Sequence, residues 1–183
     1  PHYTKSIFKN LIDSEIQAAK LGRDAYIKIK MNSFTSYEMV DKLYEASRAG
    51  VKIQLIIRGV CCLIPGVEGM SENIEAISIV DKFLEHPRVF IFGNEGNPKI
   101  YISSADWMTR NLDNRVEVGC PIYDEDIKQE LIETFEISWR DNVKARIFDR
   151  EQNNIYKKTE LPKLRSQFAI YDYYLNKLNK KNI

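Results

Sequence analysis

Apolar residues recur at helical spacing at the start of the chain. Ile7, Phe8, Leu11, Ile12, Ile16 and Ala19 fall on one face, and Gly22 sits where a C-terminal glycine cap belongs. The spacing predicts an amphipathic helix over 4–21. From residue 25 the period drops to two: Ile27, Ile29 and Met31 alternate with Tyr26, Lys28 and Lys30, as in a half-buried strand, and Asn32-Ser33 break it. A second helix is expected over 37–49. Ser36 would cap it, Val40, Leu43, Tyr44 and Ser47 would face inward, Glu38 and Lys42 would pair one turn apart, and Gly50 would close it. Residues 51–58, VKIQLIIR, read as the next strand. Strand, helix and strand with short connections form a βαβ unit, so these strands are expected to run parallel with a right-handed crossover.

The next segment, RGVCCLIPGVEGMSEN, is punctuated by Gly59, Pro65, Gly66 and Gly69. A long loop at a strand's C-terminal end is where α/β proteins place function. Ile74, Ile77, Val80, Phe83 and Leu84 suggest a third helix, stopped by His86-Pro87. Strands at 88–92 and 99–103 joined by GNEGNP read as a hairpin. A strand over 115–122 would place Val116, Val118 and Cys120 on one face, and a helix over 124–140 would pack Ile127, Leu131, Ile132, Phe135 and Trp139. Residues 149–165 are polar and irregular. A tail helix over 166–179 carries Phe168, Tyr171, Tyr174, Leu175 and Leu178. The expectation is an α/β domain over 1–148 and a C-terminal extension with a helix over 149–183.

Composition narrows the function classes. At 183 residues, 44% hydrophobic and 29% charged, the chain fits one soluble domain with a real core. Its net charge is +1, so bulk electrostatics do not point to nucleic acid, and any anion site has to come from local clustering. Cys61, Cys62 and Cys120 form no ligand spacing and no even set, which argues against a disulfide framework or a zinc site. Three reduced, buried thiols suit a cytoplasmic protein. No apolar run reaches the length of a membrane span, and Lys9, Asn10, Asp13 and Glu15 interrupt the first apolar segment as no signal peptide would allow. The chain opens on Pro1-His2 without a methionine, as a piece of a larger protein would.

Candidate chemistry concentrates between His86 and Glu117. His86 and Arg88 lie two apart and on one face of an extended segment, a poor packing pair but a good phosphate cradle. Arg58 ends an apolar strand just before Gly59, which directs it to the sheet's C-terminal edge as a candidate anion ligand. Ser103 and Ser104 can donate to phosphate oxygens, and Asp106 can orient a histidine or an arginine. Arg110 and Arg115 add positive charge, with Asp113 and Glu117 expected to fix their rotamers and Asn111 in the same supporting shell. Cys61 and Cys62 read as packing residues and not as nucleophiles.

The segments IKMNS, YEASRAGVKIQLIIRGVCCLIPGVEGMSENI, SIVDKFLEHPRVFIF, YISSADWMTRNLDNRVEVGCPI and DNVKARI resemble the C-terminal domain of the polyphosphate kinase family, nearly continuously from residue 5 to 148, and RSQFAIYDYY extends the likeness into the tail. The resemblance implies a phospholipase-D-like domain, a mixed sheet with helices on both faces, the second of a tandem pair in a four-domain chain. It implies reversible transfer of the terminal phosphate of ATP to inorganic polyphosphate through a phosphohistidine. The family's ATP-contacting arginine falls on Arg58, and its ATP-contacting, catalytically assisting histidine falls on His86. The phosphorylated histidine, the magnesium-binding arginines and the nucleotide-stacking tyrosine belong to preceding domains. Against the usual phospholipase D pattern, Arg88 stands where a lysine is expected and Asp106 where an asparagine is. The resemblance therefore implies a half-site, inactive in isolation, that works with ATP or ADP, polyphosphate, magnesium held upstream, and the N-terminal domains of a cytoplasmic, homo-oligomeric full-length protein, with peripheral membrane association left open. Two other readings stay open: a phosphate- or polyphosphate-binding module without chemistry, and a phospholipase-D-type phosphodiesterase acting as a homodimer, against which Arg88 and Asp106 argue.

Overall fold

Two kinds of connection build the sheet. Crossover connections make its centre parallel and hairpins make its flank antiparallel, as seen in a computed structural model that describes residues 2–181. Helix α1 (His2–Lys20), strand β1 (Tyr26–Met31), helix α2 (Tyr37–Arg48) and strand β2 (Lys52–Ile57) follow the expected order. β1 and β2 are parallel, in a register running from Tyr26↔Lys52 to Met31↔Ile57.

The helix expected after residue 73 is instead a strand, β3 (Ile74–Ile79). It runs parallel to β2, with Ile53 opposite Ile74 and Ile56 opposite Ile77. Isoleucines at 74, 77 and 79 fit a pleated surface better than a helix, and adding a strand to β2 buries all three, whereas Val80, Phe83 and Leu84 stay exposed. His86 accordingly stands in an irregular connection and not at a helix C-terminus.

Strands β4 (Val89–Phe92), β5 (Lys99–Ser103) and β6 (Gly119–Ile122) continue as an antiparallel meander. β4 pairs antiparallel with β1. Helix α3 (Glu125–Trp139), strand β7 (Ala145–Ile147) and helix α4 (Ser166–Lys181) complete the chain, and the last two residues of the expected extension lie outside the described residues. The strand order is β6-β5-β4-β1-β2-β3-β7, with β7 antiparallel to β3.

Helices cover both faces. On one, Phe8, Leu11, Ile12 and Ile16 of α1 and Met39, Val40, Leu43 and Ala46 of α2 pack on Ile27, Ile29, Leu55 and Phe90. On the other, Phe135 and Trp139 of α3 pack on Ile56, Ile77, Ile79 and Ile91. An aromatic cluster sits at the heart of the first core: the Trp107 ring lies 5.4 Å from both Phe34 and Phe90 and 5.5 Å from Phe8, and Phe8 lies 4.5 Å from Phe90.

Several local expectations give way to tertiary partners. Glu38 pairs with Lys5 and Lys9 of α1, and Lys42 with Asp13 of α1 and with Glu45 of its own helix. Ser36 is buried but makes no side-chain cap. The strand expected from 115 starts at Gly119. As it forms the rim of the sheet, Val116, Val118 and Cys120 are exposed, and none of the three free thiols is fully buried, Cys61 and Cys62 being only partly covered. Ile127 and the apolar residues of the tail helix also keep much of their surface in solvent. Among the described residues no helix is long and apolar enough to cross a membrane.

Phe90 is fully buried and touches rings from α1 and from the segment that carries Asp106. Replacing it with alanine is expected to lower unfolding free energy by about 3–5 kcal/mol, read as a reduced midpoint in urea denaturation.

Candidate active site

Strand direction decides which residues meet. The C-terminal ends of β1 and β2, the N-terminal end of β4 and the C-terminal end of β5 all reach the same edge of the sheet. This edge receives Asn32, Arg58, His86, Arg88 and Asp106, and it is the edge at which open α/β sheets bind ligands.

Asp106 is the joint. Its carboxylate is nearly buried, at 6% exposure. Oδ1 accepts from the Asn32 backbone N–H at 2.9 Å, from Asn32 Nδ2 at 3.1 Å and from Arg88 Nε at 3.1 Å. Oδ2 accepts from Arg88 Nη2 at 3.2 Å, completing a two-point fork. Burial alone would raise the Asp106 carboxyl, but the Arg88 guanidinium and the Asn32 donors outweigh it and hold the group below the usual carboxylate range. Trp107, next in sequence, is sunk in the aromatic core, and its carbonyl accepts from the N–H groups of Thr35 and Ser36, each at 2.9 Å. The carboxylate is thus placed by packing and by backbone pairing together.

Arg88 carries this order outward to His86. Arg88 Nη1 lies 3.2 Å from His86 Nδ1, and Arg88 Nη2 lies 3.2 Å from His86 Nε2. The two ring nitrogens point in diverging directions within the imidazole plane, so one guanidinium cannot lie in plane with both. The Nη1 and Nη2 N–H groups therefore approach the imidazole from outside the ring plane. His86 itself is exposed, so the imidazole remains accessible from solvent.

Asn32 links this half to Arg58. Its Oδ1 accepts from Arg58 Nε at 2.7 Å while its Nδ2 donates to Asp106. Arg58 follows directly after Ile57, which is in register with Met31, so neighbouring strand ends bring the two side chains together. Gly59 is required here: its N–H donates to the Asn32 carbonyl at 2.8 Å, and an added Cβ would lie 2.8 Å from that oxygen. Among the described residues Arg58 has no carboxylate partner, and its Nη1 and Nη2 make no hydrogen bond, which leaves two donors for an oxyanion. Arg58, Asn32, Glu85 and Pro87 line one small depression at this edge.

The remaining expected residues fall elsewhere. Ser104 Oγ donates to the Glu117 carboxylate, which also accepts from Asn111 Nδ2 at 2.6 Å, and Ser104 Oγ accepts from the Val118 N–H at 2.9 Å. Ser103 Oγ donates to the Val118 carbonyl at 2.9 Å. These groups shape the 104–118 loop instead of presenting donors to a phosphate. Arg110 and Arg115 are exposed and have no carboxylate partner among the described residues. Asp113 does not fix them, since it pairs with Lys5 at 2.5 Å. Burial pushes the Cys61 thiol up to about 11, which keeps it protonated and unreactive at neutral pH. Asn32, read in the sequence only as a strand breaker, is the member that was missed. Its signal was positional: an amide-bearing residue one step past β1, beside an arginine one step past β2.

The model of the polyphosphate kinase C-terminal domain 2 family matches residues 1–167. The chain belongs to the polyphosphate kinase family. It is 52% identical over 177 residues to a polyphosphate kinase of Vibrio cholerae serotype O1, a match covering 96% of this chain and 25% of that protein. The crystal structure of polyphosphate kinase from Porphyromonas gingivalis superposes with a TM-score of 0.95 at 43% identity, covering 97% of this chain and 28% of that one. The chain thus spans about a quarter of the length of the relatives it matches. Nuc of Salmonella typhimurium, a phospholipase D family member, shares the fold at a TM-score of 0.53 and 16% identity, over 74% of this chain and 88% of that one. The fold of this polyphosphate kinase domain is therefore phospholipase-D-like.

The Asp106 shift carries a sign. A carboxyl depressed on folding contributes stability that is present above its unfolded value of about 3.9 and is lost as pH falls through the folded value. Asp106→Asn removes the charge-assisted fork to Arg88, so a loss of about 1.5–3 kcal/mol is expected near pH 7. That difference should shrink as the pH drops below the ordinary carboxylate range, which urea unfolding of both proteins at about pH 7 and about pH 3 would show.

Proposed function

We propose that this chain forms one wall of the active site of a polyphosphate kinase, holding the phosphates of ATP while the terminal phosphoryl group passes reversibly to inorganic polyphosphate. The observation that carries this reading is the pair of unbonded terminal nitrogens of Arg58 set at the same sheet edge as the His86–Arg88 pair. The family membership supplies the substrate class.

Phosphoryl transfer needs positioning and charge neutralisation more than covalent work. Arg58 Nη1 and Nη2 bridge non-bridging phosphate oxygens and offset the charge that builds up on them. The His86 ring edge gives a hydrogen bond to the transferring group, or moves a proton at its oxygen. Arg88, fixed by Asp106, holds the imidazole in place before substrate arrives. In this reading a histidine of a preceding domain attacks the γ-phosphorus. The bond to the ADP oxygen breaks, and the phosphohistidine then hands its phosphoryl group to the terminal oxygen of the polyphosphate chain. Magnesium comes with the nucleotide and with ligands outside this chain. Asp106 is committed to Arg88 and Asn32, and among the described residues no group of three His, Cys, Asp or Glu could hold a metal. The three free cysteines support a reducing cytoplasmic setting, and the full-length protein is read as a homo-oligomer.

In a full-length kinase that contains this domain, His86→Ala is expected to slow polyphosphate synthesis by about 10²–10⁴-fold. Arg58→Ala should chiefly raise the KM for ATP. Synthesis by His86→Ala at the unmodified rate would remove His86 from the mechanism. The isolated chain is expected to show no turnover; cleavage of bis(p-nitrophenyl) phosphate by it would instead favour the homodimeric phosphodiesterase.

A further inference from the structure

The connection between β3 and β4 carries His86, and residues 80–88 have no regular structure. Apolar burial does not anchor it, since Val80, Phe83 and Leu84 are 69%, 57% and 79% exposed. A segment with neither a ladder nor a buried face must be held by side chains from elsewhere.

Those side chains come from the start of the tail helix. Gln167 Oε1 accepts from the Phe83 N–H at 2.9 Å, while Gln167 Nε2 donates to the Phe83 carbonyl at 2.8 Å. One primary amide therefore stands in for a neighbouring strand. The same Nε2 donates to Glu85 Oε1 at 2.9 Å, and Glu85 Oε2 accepts from Lys30 Nζ at 2.5 Å, tying the residue before His86 back to β1. Arg165 adds a fork to Asp81, with Nε and Nη2 at 2.8 and 2.5 Å from its carboxylate oxygens. The Asp81 side chain is only 1% exposed.

The tail has a firm base from which to hold the loop. Fully buried Asp141 accepts from the Ser166 N–H at 2.7 Å, and from the N–H groups of Val143, Lys144 and Ala145 at 2.9, 2.7 and 3.1 Å. The Leu164 N–H donates to Asn142 Oδ1 at 2.8 Å. Arg165 and Gln167 thus sit on a backbone locked to the end of α3 and the start of β7.

We propose that Gln167, aided by Arg165, is a positioning residue for His86: the first turn of α4 sets where the imidazole stands at the active-site edge. This rests on the reading of His86 as a phosphate-contacting group. It gives the tail a task within the reaction, although the tail itself contributes no group to the edge where Arg58 and His86 meet.

The near-isosteric change Gln167→Glu separates tethering from packing. A carboxylate keeps the acceptor for the Phe83 N–H, but it loses both donor contacts and opposes Glu85. In the full-length kinase, Gln167→Glu and Gln167→Ala are expected to lower kcat per folded enzyme on the order of tenfold to hundredfold, with the KM for ATP changing far less. Hydrogen exchange at the Phe83 amide should quicken in Gln167→Ala, with global melting unchanged. If Gln167→Glu synthesises polyphosphate at the unmodified rate while His86→Ala does not, the tether is overturned and the role of His86 stands. A loss confined to the folded fraction, with kcat per folded enzyme intact, also overturns it. If His86→Ala itself is fully active, the reading beneath the tether fails and takes the tether with it.

Discussion

A carboxylate that loses its water must find other donors, and Asp106 finds them on two distant segments at once. Asn32 comes from the end of β1 and Arg88 from the start of β4, while Asp106 itself follows β5. Meeting its need for hydrogen bonds therefore draws three strand ends into one cluster. The cluster would not hold on charge alone, because taking the Asp106–Arg88 pair out of water offsets much of its Coulombic gain. Trp107, locked among Phe8, Phe34 and Phe90, supplies the rigidity. The polar joint and the aromatic core are adjacent in sequence, so packing is converted directly into placement of a functional group.

From that joint the order spreads in two directions. Through Arg88 it reaches the His86 imidazole, and through Asn32 it reaches Nε of Arg58. The contact to Arg58 uses its Nε, which spares the two terminal nitrogens. Among the described residues those two nitrogens make no hydrogen bond, and the imidazole stays exposed. Such an arrangement is preorganised, which matters for phosphoryl transfer because aligned donors need no rearrangement as charge develops. The tail helix holds the loop that carries this imidazole, through the backbone groups of Phe83.

The family relationship sets the scale of what this chain can do. It matches about a quarter of each full-length relative, and its site is open on the side where Arg58 and His86 are presented. In the proposed reading this wall supplies donors, and the reacting histidine belongs to another domain.

Much of this was legible in the amino-acid sequence. The period-two run from 26 to 31, the helical face of 37–48 and the VKIQLIIR strand are strong local patterns, and short connections left a parallel pair as the natural solution. Arg58, His86, Arg88 and Asp106 were visible as chemistry-bearing residues out of keeping with a plain loop. Tertiary structure decided the rest. Spacing of Ile74 and Ile77 satisfies a helix or a strand, and only the open edge of β2 made it a strand. Ser104, Asn111 and Glu117 carry the same donors and acceptors as a phosphate site, yet they are spent on one another because a loop folds back over them. Asn32 and Gln167 look ordinary in sequence, since an amide gains meaning only from what lies on both of its sides. Local pattern determines which elements form and which side chains are reactive; the pairing of distant strand ends determines which of those side chains are bound to the protein and which are free to bind something else.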